Sequence, residues 1–192
     1  MTAPDEIDRQ VSARMQRQHR LTGPQPLQLS AVVSEAALRR YASHPAIAPG
    51  QLQHLIAQAN LPNIDLRVLP FSAGLHQSMS GSFSLLSFPG GVLPDAAYQE
   101  YAVGGHVIDD QVIVGRLDRL FAALRDQALG ADESLVVISE LLSTTGPRSP
   151  PGSATASSPD PTTSAPGSRA GHRGRCRCSG LADYAPARDG AT

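Results

Sequence analysis

A change of composition after Ser143 limits what this chain can fold into. In residues 144–192, Leu181 is the only Leu, Ile, Val, Met or Phe, and 14 of the 49 positions are Gly or Pro. A segment so poor in apolar side chains cannot bury enough surface to offset the entropy lost on ordering. It is expected to be a disordered Pro/Gly/Ser/Arg-rich tail. Residues 1–143 then form one domain, long enough to close a core of its own. Charge divides at the same point, with 14 acidic and 10 Arg side chains before it and 6 Arg against 3 Asp after it.

Several classes drop out. A net charge of −1 speaks against a broad basic surface for nucleic acid. No apolar run approaches the roughly 20 residues of a membrane span, so no membrane partner is expected. No apolar stretch follows Met1, and a cytoplasmic location is the expectation. Cys176 and Cys178 are the only cysteines and both lie in the tail, which excludes a disulfide framework for the domain. With one nearby His they fall short of a four-ligand zinc site, and no metal or cofactor is expected.

Hydrophobic periodicity gives the elements. Residues 5–21 read as a helix with Ile7, Val11 and Met15 in step, stopped by Gly23-Pro24. Residues 27–33 alternate as a half-buried strand. A short helix opens at Ser34-Glu35, and a second spans residues 49–60 with Leu52, Leu55, Ile56 and Ala59 on one stripe. Ile64, Leu66 and Val68 alternate with Asp65 and Arg67 as another strand. Phe83, Leu85 and Phe88 mark a third, and residues 97–103 a fourth. Gly104-Gly105 is expected as a tight turn before His106-Val107-Ile108. A helix capped by Asp109 or Asp110 carries Ile113, Leu117, Leu120, Phe121, Leu124 and Ala128. A last helix, capped by Asp132, faces Leu135, Ile138 and Leu142 inward. The first two strands and their intervening helices suit a right-handed crossover, and the later strands a meander. The expected class is α+β, with a mixed, mainly antiparallel sheet of about 4–5 strands packed against helices.

Candidate sites are sparse. His76 lies in a Gly-containing loop with Ser78 and Ser80, which a small hydrolase could use with Glu100 as the orienting acid. No G-x-S-x-G elbow surrounds either serine, and a surface loop satisfying its own backbone is the simpler reading. Glu100, between Tyr98 and Tyr101, could hold Arg67 across the sheet or a polar group of a ligand. Arg67, His76, Tyr98 and Glu100 are thus the candidate ligand-binding residues, and no catalytic residue is assigned. The tail's Arg169, Arg173, Arg175 and Arg177 offer a second alternative, weak salt-sensitive nucleic-acid binding. An unselected disordered end is the simpler reading. Arg14, Arg17 and Arg20 are followed by a strand, not by the second helix of a helix-turn-helix.

Several phrases occur together in order: RQVSARMQRQ at 9–18, VSEAALRR at 33–40, QLQHL at 51–55, VLPFSAG at 68–74, GSF at 81–83, YQE at 98–100 and LDRL at 117–120. Over about residues 5–143 the chain resembles the domain of unknown function that follows the helix-turn-helix in XRE-type, antitoxin-like (WhiJ-type) transcriptional regulators of actinobacteria. That resemblance implies a non-enzymatic effector-sensing or partner-binding domain, with a small partner protein or an effector ligand as partner and homodimerisation left open. Members of that group begin with a helix-turn-helix and a segment like PGLLQTxxYARA. Neither precedes the first Arg-rich helix here, so the expectation is a truncated regulator unable to bind DNA alone.

Overall fold

Gln28–Ser34 carries apolar side chains at both odd and even positions, and both faces of the strand it forms are buried. Leu29, Ala31 and Val33 enter one hydrophobic cluster, and Val32 enters another on the opposite face. This strand is therefore interior to a sheet covered on both sides. The computed structural model describes residues 4–76, 81–88, 90, 93–101, 104–145 and 175–179. Its elements are α1 (Pro4–Thr22), β1 (Gln28–Ser34), α2 (Glu35–Ala42), α3 (Ala48–Ala59), β2 (Ile64–Leu69), a 3₁₀ turn (Phe71–Ala73), β3 (Phe83–Ser87), β4 (Ala96–Tyr101), β5 (Gly104–Ile108), α4 (Gln111–Gln127), α5 (Ala131–Thr145) and β6 (Arg175–Ser179).

The class is α+β, with a mixed, mostly antiparallel sheet ordered β2-β1-β6-β3-β4-β5. β1 runs parallel to β2 and to β6, whereas β3 is antiparallel to β6 and β4, and β4 to β5. Helices α2, α3 and α5 cover the β1–β2 end of one face, where Leu38, Leu52, Leu55 and Ile138 are fully buried. Helix α4 covers the other face, setting Val114, Phe121 and Leu124 against Val32, Phe83, Leu85 and Ala97. Asn63 ties α1 to β1: its buried Nδ2 donates to Leu21 O at 3.0 Å and Leu27 O at 2.8 Å.

Four expectations change. The sheet has six strands instead of about 4–5, because Arg175–Ser179, inside the tail expected to be disordered, pairs between β1 and β3. Averaging over 49 residues hid its Arg-Cys-Arg-Cys alternation, which is a strand pattern in its own right. The remaining tail, 146–174 and 180–192, lies outside the described residues. Gly104 and Gly105 are not the turn; they pair with Tyr101 and Glu100 inside β5. Gly105 is needed there because a Cβ would collide with the Tyr98 phenol. On α4, Val114 replaces Ile113 as the buried residue; Ile113 is 41% exposed. Val114, Leu117, Phe121 and Leu124 follow the 3.6-residue repeat more closely.

The last change concerns α5, where Ser134 and Leu141 are buried beside Ile138, Leu142 packs against the core half-buried, and Leu135 is only half-buried. A serine holds a core position because β2 is an edge strand whose backbone needs partners. Ser134 Oγ accepts from Val68 N at 2.9 Å and donates to Gly130 O at 2.7 Å, while Leu129 N donates to Val68 O at 2.9 Å. The turn into α5 thus closes that edge. Ser134→Ala strands the buried Val68 amide and should lower stability by about 1–3 kcal/mol. A urea midpoint equal to the parent's would contradict it.

Candidate functional site

Alternation along the strands gives the sheet two chemically distinct faces, each with a cleft. The apolar cleft, about 420 Å³, lies between α1 and the sheet. Leu29 on β1, Cys176 on β6 and Leu86 on β3 are register neighbours across its floor. Ser84 and Tyr98 form the next row, with Phe88 beyond the end of β3. Leu21 and Leu27 close one side, and Arg14, Arg17, Gln18 and Arg20 of α1 supply the polar wall. Leu86 and Phe88 remain 37% and 38% exposed, so α1 covers this half of the sheet only in part.

The second cleft, about 450 Å³, lies on the α4 face and is lined by charge. Asp65 is its best-held carboxylate. Arg67 Nε donates to it at 3.0 Å, Arg125 pairs with it at 2.9 Å, and Ser30 Oγ donates at 3.3 Å. Asp118 on α4 pairs with Arg177 from β6, whose second guanidinium nitrogen donates to Ser87 Oγ at 3.1 Å. Among the described residues no three His, Cys, Asp or Glu side chains converge as a metal site.

The sheet distributes the four residues singled out from sequence. Arg67 is on edge strand β2, on the α4 face, bound to Asp65. Tyr98 and Glu100 share the opposite face of β4, so the cross-sheet Arg67–Glu100 pair does not form. Three strands and the thickness of the sheet separate them. Tyr98 lines the apolar cleft, and Glu100 is exposed on its far side. His76 follows the 3₁₀ turn, half-buried, with Nδ1 lacking a hydrogen-bond partner among the described residues. Ser78 and Ser80, its suggested companions, lie outside the described residues.

Sequence reasoning missed both clefts' main residues. The signal for the apolar one was present: in Phe83–Ser87 and the residue after it, Phe83 and Leu85 alternate with Leu86 and Phe88, so apolar side chains fall on both faces. Asp118 and Arg177 are 59 residues apart in sequence and carried no such signal.

A two-faced α+β domain, with an apolar cleft on one face and a charged cleft on the other among the described residues, is the class of protein the fold defines. The chain matches the family model DUF5753, a domain of unknown function, over residues 1–140, and it belongs to that family. No curated protein and no solved structure shows significant similarity to it.

Burial alone would raise the Asp65 carboxyl, but hydrogen bonds from Arg67 and Arg125, with their charges, outweigh it and hold the group below its ordinary range. The stability this contributes is complete above the unfolded Asp value, about 3.9, and is lost as pH falls through the lower folded value. Asp65→Asn should therefore be less stable than the parent at neutral pH, with the gap narrowing below about pH 4. Thermal melts across that range check this, and a gap independent of pH would contradict it.

Proposed function

We propose that this chain is a non-enzymatic sensing domain of the kind that accompanies a helix-turn-helix in XRE-type, antitoxin-like regulators of actinobacteria, and that the cleft under α1 holds its effector. The observation that carries this reading is the combination of walls in that cleft. Leu21, Leu27, Leu29, Leu86 and Phe88 offer apolar surface, while Arg14, Arg17 and Arg20 stand along one side. Small-molecule sites combine these features, an apolar lining and a few polar groups, in clefts of roughly 300–1,000 Å³. The effector suited to them is a small molecule with an apolar body and an anionic group. A ligand bridging α1 and the sheet would also fix the helix against the domain, which gives binding a mechanical output.

No Trp is present, so the fluorescence of an anionic apolar dye is read without interference. 8-Anilinonaphthalene-1-sulfonate should bind the folded chain at one site. Leu86→Glu, placing a carboxylate on the half-exposed cleft floor, should weaken it by about tenfold or more. Thermal stability should change little, because Leu86 already meets solvent. Dye affinity indifferent to Leu86→Glu would overturn the assignment of the cleft. A tight, sequence-specific complex of the chain with promoter DNA at about 150 mM salt would overturn the wider reading.

A further inference from the structure

We propose that the gap between β1 and β3 is a strand-binding slot, filled here by the chain's own Arg175–Ser179, and that it accepts an extended peptide with Arg at alternate positions and small apolar residues between. The strand register carries this independently of what occupies the cleft under α1. The family match ends at residue 140, so strands β1 to β5 lie within it and β6 lies outside it. Yet β6 is no edge addition. It is hydrogen-bonded to β1 on one side and β3 on the other, each over five residues. Without it the family's own strands would be separated by about two spacings of ~4.8 Å, with facing rows of unpaired amides and carbonyls. A gap of that width admits one more strand.

The two sides of the slot specify its occupant. Toward α1 the flanking side chains are Leu29 and Leu86, opposite Cys176, and a small apolar residue fits between them. Toward α4 stand Asp118 and Ser87, which Arg177 engages together with one guanidinium. Asp65, on the same face, is already bound to Arg67 and Arg125, so Asp118 is the carboxylate that answers an incoming Arg. Alternate positions of the occupant thus meet opposite demands, which gives specificity, while main-chain bonds to two strands give affinity. This is β-augmentation, at the centre of a sheet.

Residues 146–174, 29 in all, connect α5 to β6. At ~3.3 Å per extended residue such a connection imposes no particular donor, and its closure entropy grows only slowly with length. The resident strand acts as a tethered competitor, and a peptide from another chain must outcompete it.

The test uses the full chain with a sequence-specific protease site inserted after Ala156. After cleavage, the C-terminal fragment has no covalent tether and is held through the pairing of β6 with β1 and β3. A labelled peptide of residues 171–181 should then exchange into the cleaved protein, and the unlabelled peptide should compete. The uncleaved chain should take up the peptide about tenfold or more weakly, since a tether supplies a roughly millimolar effective concentration. A peptide carrying Arg177→Glu should bind the cleaved protein about tenfold more weakly. If the remainder precipitates on losing its fragment, rescue by added peptide supports the slot and failure to rescue overturns it. The proposal also falls if the labelled peptide never enters the cleaved protein or if the Arg177→Glu peptide binds equally. Departure of the fragment with unchanged hydrogen-exchange protection of β1 and β3 would overturn it too.

Discussion

Backbone hydrogen bonds to five residues, Arg175–Ser179, join the two halves of this sheet. On one side they meet β1 in parallel and on the other β3 in antiparallel fashion. The ladder makes a parallel pair with its crossover helices and an antiparallel meander into one surface. Buried backbone amides and carbonyls must be paired, so a strand in this position decides whether the centre of the domain is complete. Everything that spans the sheet inherits that dependence. Helix α4 rests Phe121 and Leu124 on side chains from β1, β2, β3 and β4, which share one surface only because β6 connects them.

The two faces divide the chemistry. On the α4 face, Asp65 is held by two guanidinium groups, which offset the penalty of its partial burial, and Asp118 is paired with a third. On the other face, α2, α3 and α5 close a dry core over β1 and β2, and the half of the sheet beneath α1 stays open at Leu86 and Phe88. One face thus carries the ion pairs, the other an open apolar cleft, and Cys176 borders both core and cleft.

Much of the fold was legible along the chain. Alternation identified β1 to β3. Of the two expected caps, Asp109 and Asp110, it is Asp110 that caps α4, accepting from Val112 N at 2.8 Å, and β1 and β2 formed the parallel pair implied by the helices between them. The central strand was not legible, because its five residues were averaged with a Pro- and Gly-rich segment whose composition argues for disorder. Nor was the buried role of Ser134, since a serine on an apolar stripe reads as an interruption until the unpaired edge of β2 is seen beside it. Among the candidate site residues, Tyr98 alone lines the apolar cleft; Arg67 and Glu100 were linked by charge, and strand order places them apart.

The sequence by itself determined most of the helices and strands, the class of the fold and its kinship with a family of domains of unknown function. Periodicity of side chains and capping chemistry are properties of neighbours a few residues apart, and they survive without knowledge of the whole. Strand order, the pairing of Asp118 with Arg177 and the cleft beneath α1 belong to the tertiary structure alone. Each depends on which segments meet across dozens of residues, and only the joint requirement to bury apolar surface and pair every backbone group selects that arrangement.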